Sequence, residues 1–309
     1  MGILVIGTAF VDIKGFPDSA YIPTGRNVGQ VKYIHGGVAR NVVEDIANLE
    51  LRPTYLGIVD DTPMGADVLN KLKDHKVNTD YVLTQPDGMG LWLAVFDANG
   101  DVAGSISKRP NAYALLHQLE TKGDEMFQDT DSVVIQVDLH KDIVKKTLEL
   151  AEKYHVPTYA LVSNMSLAAE RRDLLQRFDC FICNQQEAGL LFLDDYSDAT
   201  PAQMEQILAD RVVRANIPSM VVTMGGDGAV FADCKGNSGY CAPRNVQVKD
   251  TTGAGDAFCA GVASGLTYGK TLAEAVEVGT MLAAAVITSS ENVCPRFLPA
   301  ELGLKYPKK

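Results

Sequence analysis

The chain of 309 residues carries a formal net charge of −11, with 46% hydrophobic and 22% charged residues. Its length suits one large α/β unit with a small appendage better than two full domains. A chain this acidic, whose basic clusters are only pairs such as Lys108-Arg109, is not expected to bind nucleic acid, and its longest late apolar run, around Met281 to Ile287, is too short to span a membrane.

The N-terminus starts directly on Ile3-Leu4-Val5-Ile6, a strand pattern with no charged segment ahead of it. No signal peptide is expected, and the reading is cytoplasmic. Residues 10–35 mix Gly, Pro, Tyr and Val without a helical period. Residues 90–107 read as a hairpin, with Leu91 to Phe96 and Val102 to Ser107 around Asn99-Gly100. Together these two regions predict a small β lid over one edge of a main sheet, its strands split in sequence.

The middle of the chain alternates short apolar strands with helices. Strands are expected at Ser132 to Gln136, Thr158 to Val162, Cys180 to Cys183 and Met220 to Thr223. Helices are expected at Lys141 to Tyr154, Leu167 to Gln176 and Ala202 to Arg214. That alternation predicts a mainly parallel sheet covered on both faces, a three-layer α/β/α fold over residues 1–309. Cys180 and Cys183 form one C-x-x-C, read as strand residues, because Cys234, Cys241, Cys259 and Cys294 supply no second pair at metal-binding spacing.

The most informative segment is Asp250-Thr251-Thr252-Gly253-Ala254-Gly255-Asp256-Ala257-Phe258. It follows a strand-like run, Asn245 to Val248, and opens an apolar helix reaching about Leu266. Small residues at Gly253, Ala254 and Gly255 allow close backbone approach, and a helix N-terminus offers free N–H groups at its positive end. Such a cradle suits the charge on a transferred phosphoryl group. Asp256, in the first turn, is placed to take a proton from a substrate hydroxyl. A second string, Ser264 to Thr271, nearly spells a P-loop but has Ser264 for the first glycine and no strand before it. Thr271 and Glu274 read instead as a capping box for the last long helix.

At the nine-residue string the chain resembles the ribokinase-like (PfkB-type) sugar and nucleoside kinases. Further motifs follow in family order. Gly36-Gly37-Val38-Ala39-Arg40-Asn41 is similar to the N-terminal Gly-Gly…Asn motif, Asn184-Gln185-Gln186-Glu187 to the N-x-x-E motif, and Thr223 to Gly228 to the nucleotide-side loop. The resemblance implies an ATP-dependent kinase with Asp256 as base and Gly253, Ala254 and Gly255 as anion hole. It implies Asp12, Gly36, Gly37 and Asn41 for the substrate hydroxyls, and Asn184, Glu187, Thr223, Gly225, Gly226 and Gly228 for the nucleotide. Mg²⁺ is expected at Glu187 through water, and a monovalent cation such as K⁺ at Asp250 and Thr252. By position, Ser289 to Asn292 is expected to border the adenine. A homodimer through the lid is also expected.

Within the family, Gly29-Gln30-Val31-Lys32-Tyr33, the run from Gly36 to Ala47, and Met224 to Gly228 resemble the pseudouridine-kinase subgroup, although Ser163-Asn164 stand where that subgroup carries Asp-Pro. Phosphorylation of a primary hydroxyl of pseudouridine is therefore the first reading. A ribokinase- or fructokinase-like sugar kinase, and a catalytically silent sugar or nucleoside sensor, remain as alternatives.

Overall fold

A computed structural model describes residues 2–305. In chain order its strands are β1 (Ile3–Ile6), β2 (Phe10–Pro17), β3 (Gly29–Gly36), β4 (Thr54–Leu56), β5 (Ile58–Val59), β6 (Leu83–Thr84) and β7 (Gly90–Phe96). They continue as β8 (Val102–Lys108), β9 (Ser132–Gln136), β10 (Thr158–Leu161), β11 (Cys180–Asn184), β12 (Ser219–Thr223), β13 (Ala229–Asp233) and β14 (Ser238–Cys241). The helices are α1 (Val38–Asn48), α2 (Pro63–Asp74), α3 (Ala114–Gln128), α4 (Lys141–Tyr154), α5 (Met165–Ala168), α6 (Gln185–Phe192), α7 (Pro201–Ala215), α8 (Ala254–Thr267) and α9 (Leu272–Ile287).

The main sheet has the order β14-β13-β12-β11-β10-β9-β1-β4. From β4 to β12 every pairing is parallel, and β13 and β14 extend the edge antiparallel. The parallel strands are apolar on both faces because each face meets helices. Ile3, Val5, Val134, Tyr159, Ile182 and Val221 pack towards α1, α8 and α9. Their neighbours Leu4, Ile6, Val133, Ile135, Phe181, Met220 and Val222 pack towards α3, α4, α6 and α7. Period-two side-chain alternation thus divides each short strand between two cores and gives a three-layer α/β/α arrangement.

The lid is a separate four-stranded sheet in the order β3-β2-β7-β8, built from the two regions that broke the mid-chain alternation. Its β7–β8 hairpin turns at Asn99-Gly100, with Gly100 at φ +88°. On its inner face Phe16 and Phe96 stack at 4.7 Å between centroids, and Lys14 lies over the Trp92 ring.

Two expectations need correction. The run Asn245 to Val248 is not a strand: β14 ends at Cys241, and residues 242–248 have no regular structure. β14 is already the sheet edge, and this exposed segment leaves it to reach α8, so it has no strand to pair with. The stretch Leu167 to Gln176 winds as the short helix α5 followed by a 3₁₀ run, Ala169–Arg177, not as one α-helix. Elsewhere Thr271 and Glu274 make both halves of their capping box at the start of α9. Cys180 and Cys183 are buried strand residues, and among the described residues no helix is long and apolar enough to cross a membrane.

Candidate active site

The C-terminal ends of the parallel strands lie side by side. Ile6 pairs with Ile135, Gln136 with Leu161, and Asn184 with Thr223. Open α/β sheets offer ligand crevices at this end. Between it and the inner face of the lid is a cavity of about 710 Å³. Asp12, Gly37, Asn41, Thr252, Gly253 and Asp256 all line it, so three separate segments of sequence converge there.

Gly36 and Gly37 bring the chain from β3 into α1. Gly37 takes φ +93°, and a Cβ there would sit 2.8 Å from Thr8 O and 2.7 Å from Phe10 N, so the turn admits no side chain. This tight entry places Asn41 on the first turn of α1, facing α8. Asn41 Nδ2 donates to Asp256 Oδ2 at 2.6 Å, across 215 residues of sequence. Asp12, from β2, lies under the same turn, with its carboxylate packed against Gly36.

Gly253 is the N-cap of α8 at φ +83°, with a would-be Cβ only 2.0 Å from Asn292 O. The left-handed turn and the close pass beneath residue 292 both require glycine. The cradle differs in one member from the sequence expectation. Ala254 N–H donates to Thr251 O at 3.2 Å and is spent inside the turn. Among the described residues, Gly253, Gly255 and Asp256 N–H find no backbone acceptor, so the free donors at this helix mouth are theirs. Around Gly255 a Cβ would meet nothing within 4 Å, which leaves open space above it.

The electrostatics are those of several carboxylates drawn together. Burial lifts the Asp256 carboxyl to about 7. The Asn41 hydrogen bond and Arg40 act against this, and the charges of Asp12 and Glu187 add to it. Burial also raises Asp12, opposed by Lys14 and Arg40. Glu187 is raised by burial, opposed by its backbone hydrogen bond from Asn184, with Asp138 adding to the rise. A carboxyl poised near neutrality beside free N–H donors can accept a hydroxyl proton while an anion is held next to it.

Asn184 and Glu187 cap α6 reciprocally: Asn184 Oδ1 accepts from Glu187 N, and Glu187 Oε2 accepts from Asn184 N, each at 2.8 Å. Thr223, Gly225, Gly226 and Gly228 form the 3₁₀ turn joining β12 to β13, beside Asn184 but outside the wall of the 710 Å³ cavity. Added Cβ atoms at Gly225 and Gly226 would meet nothing within 4 Å, so this turn is open to a ligand passing over it.

Asp250 Oδ1 accepts from Thr252 N at 2.8 Å. Burial alone would raise this carboxyl, but the Thr252 bonds and the charge of Lys14 outweigh it and leave it below the usual range. Of the stretch Ser289 to Asn292, expected by position to border the adenine, Asn292 is buried against the start of α1. Its buried amide donates to His35 O at 2.7 Å and to Asn41 Oδ1 at 3.4 Å, tying the last loop to the start of α1. Ser289 and Glu291 border a different cavity, of about 510 Å³, beside Glu44.

Several cavity residues escaped the sequence reading. Gln136 ends β9; its Oε1 accepts from Thr8 N at 3.0 Å and its Nε2 donates to Ser163 Oγ at 2.9 Å. Ser163 in turn donates to Asp138 through both its N–H and its hydroxyl. The strand-end argument that singled out Asn184 applies equally to Gln136 and Asp138 and would have found them. Phe10, Trp92, Arg109 and Tyr113 complete the wall on the lid side. Phe10 and Trp92 on lid strands, and Tyr113 just before α3, lie where motif content is low, and no signal in the sequence marks them.

A profile described as pfkB family carbohydrate kinase matches residues 2–294. A guanosine-inosine kinase of Exiguobacterium acetylicum is 36% identical over 303 residues, covering 96% of this chain and 98% of that protein. A pseudouridine kinase of Escherichia coli is 26% identical, covering 89% of this chain and 86% of that protein. Among solved structures, Arabidopsis thaliana ribokinase complexed with ribose and ATP superposes with a TM-score of 0.82 at 19% identity over 99% of both chains, a likeness of fold.

Proposed function

The chain belongs to the pfkB family of carbohydrate kinases and is an ATP-dependent sugar or nucleoside kinase; from that premise we propose that it phosphorylates the primary hydroxyl of a nucleoside, with a 6-oxopurine nucleoside such as guanosine or inosine as the first candidate. One observation carries the catalytic part. Asp256, its carboxyl near 7, faces a cavity beside the unspent N–H groups of Gly253 and Gly255. The nucleoside part is supported by the lid-side wall of Phe10, Trp92 and Tyr113, apolar surface that a free pentose would leave uncovered and a base would fill. The 36% relative favours guanosine and inosine. Pseudouridine is the second reading, favoured by the relative at 26% and by the stretches around Gly29 to Ala47.

In this reading Asp12 and Asn41 hold the sugar hydroxyls over the Gly36-Gly37 turn. Asp256 takes the proton of the primary hydroxyl as its oxygen attacks the γ-phosphorus in line and ADP departs. The N–H groups of Gly253 and Gly255 hold the charge on the transferred group. The triphosphate approaches past Asn184 and the open turn of Gly225 and Gly226.

Among the described residues no three His, Cys, Asp or Glu side chains converge to hold a metal by themselves. The Glu187 carboxylate, with the charge of Asp138 acting on it, does fit a cation held mainly by water and phosphate. Glu187 would hold Mg²⁺ through water, and when bound the ion neutralises charge on the phosphates. Asp250, kept ionised, and the Thr252 hydroxyl offer oxygen ligands to a monovalent cation such as K⁺.

Closure of the lid would exclude water from the reaction. Its outer face exposes Val31, Tyr33, Leu93 and Ile106, at 61%, 61%, 44% and 70%, and a second copy of the chain is proposed to cover them. The deciding experiment for function is an ADP-release panel of guanosine, inosine, adenosine, pseudouridine, ribose and fructose, run beside Asp256→Asn. Turnover of 6-oxopurine nucleosides, lost by about 10² or more in the variant, is expected. Exclusive turnover of a free sugar would reject the nucleoside reading. Tight nucleoside binding with no ADP release would make the chain a sensor.

A further inference from the structure

Next to the substrate-side asparagine lies a buried arginine that neither the sequence reading nor the proposed mechanism uses. Arg40 is 1% exposed. Its guanidinium donates to Gly36 O through Nε at 3.3 Å, and through its other nitrogens to His35 O, Asn41 Oδ1 and Glu44 Oε2. Four acceptors on one planar fork leave it a single orientation.

The consequence falls on Asn41. An asparagine amide presents an oxygen at one end and an NH₂ at the other, and either end fits the same space. Arg40 accepts no hydrogen bond, so the end of Asn41 facing it must be Oδ1. Asn292 Nδ2 reaches the same oxygen from the last loop at 3.4 Å and agrees with that choice. Nδ2 is then forced towards α8, where it donates to Asp256 Oδ2. Reversed, the amide would set its oxygen against a carboxylate.

We propose that Arg40 is a positioning residue for phosphoryl transfer: by fixing Asn41 Oδ1 it aims Asn41 Nδ2–H at Asp256 Oδ2, leaving the other carboxylate oxygen for the acceptor hydroxyl. This rests on the reading of Asp256 as base. It has a second effect through charge. Facing Asp256 are Asp12 from β2 and Glu187 from α6, which raise its proton affinity, and Asn41 and Arg40 from α1, which lower it. Asp45, one turn along α1 and pushed well up by burial, and Cys259, one turn along α8, lie in its field. Arg40 is the cation of this set, and both its direct charge and the bond it enforces favour the ionised base.

The test compares kcat/KM for the accepted nucleoside from pH 5.5 to 8.5 in the full chain. Glu44→Gln keeps Arg40 and its bond to Asn41. Arg40→Met with Glu44→Gln removes the fork without stranding a buried carboxylate. The single variant is expected to keep the wild-type acid limb. The double variant is expected to shift that limb up by about one pH unit, so kcat/KM falls about fivefold at pH 7 and recovers to within about twofold at pH 8.5. A midpoint unmoved in the double variant, or a loss equal at every pH, overturns the proposal. If the double variant does not fold, Arg40→Lys carries the test, since an ammonium keeps the charge but cannot hold four acceptors. There a shift of about half a unit in the same direction is expected, and none overturns the proposal. Asp256→Asn runs in parallel. If it turns over normally, the base assignment itself fails; if it is inactive while the Arg40 variants keep the wild-type limb, only the role of Arg40 fails.

Discussion

Replacing the proposed base should make the protein more stable, by more at alkaline than at acid pH. Burial raises the Asp256 carboxyl from 3.8 to about 7 in the folded chain. The folded state therefore binds this proton more tightly than the unfolded state does. Below pH 3.8 both states are protonated and nothing is lost. Between 3.8 and 7 the unfolded chain ionises first and folding loses stability; above 7 the loss is complete. About three pH units correspond to a ceiling of about 4 kcal/mol at pH 8, at roughly 1.4 kcal/mol per unit. The side chain still meets solvent at the cavity wall, and screening there reduces the expected cost to about 2 kcal/mol. Asn has the same shape, can accept the Asn41 bond through its own oxygen, and carries no charge.

Urea or thermal unfolding of wild type and Asp256→Asn at pH 5 and pH 8 reads this directly. The variant is expected to be more stable by about 2 kcal/mol at pH 8, a rise of several degrees in Tm, with the gap narrowing to under about 1 kcal/mol at pH 5. Asp45 and Asp12 stand in the field of Asp256, so removing its charge lets them ionise more readily and adds to the gap in the same direction. A variant no more stable than wild type at pH 8, or a gap independent of pH, would refute the argument that this carboxylate is held at a cost to folding.

Glu187→Gln separates capping from cation binding, because glutamine also serves in a capping box. The variant is expected to keep its Tm within a degree or two while the free Mg²⁺ needed for half-maximal turnover rises about tenfold; an unchanged Mg²⁺ requirement would confine Glu187 to the cap. Ile106→Glu, on the outer face of the lid, is expected to convert a dimer into single chains at micromolar concentration by sedimentation. A wild-type mass of one chain at high concentration would remove the proposed dimer.

The parts of the site that could be read in advance are those where local backbone chemistry dictates the residue. Gly37 and Gly253 occupy left-handed turns that a Cβ would block, so they announce themselves, and the helix that follows each carries the functional side chain. The capping boxes at Asn184 and Thr271 are likewise local, three residues wide. The false strand at Asn245 to Val248 shows the opposite case. Its composition suits a strand, but pairing depends on a neighbour, and none is available beyond the sheet edge.

Arg40 marks the same boundary more sharply. In the sequence it is a charged residue between Ala39 and Asn41, with nothing to separate it from a solvated helix-surface arginine. In the fold it is 1% exposed and bonded to four acceptors, because α1 packs its polar side against α8 and the last loop. Ala254 and Asn292 changed roles for the same reason: which amide stays free depends on turns and loops that meet only in three dimensions. By itself the sequence determined the alternation of strands and helices, the glycine turns and the carboxylate at a helix mouth, since each is written in residues a few positions apart. The tertiary structure alone decided which side chains surround that carboxylate, how they set its proton affinity and which donors remain unspent, since those depend on contacts between segments as much as 257 residues apart.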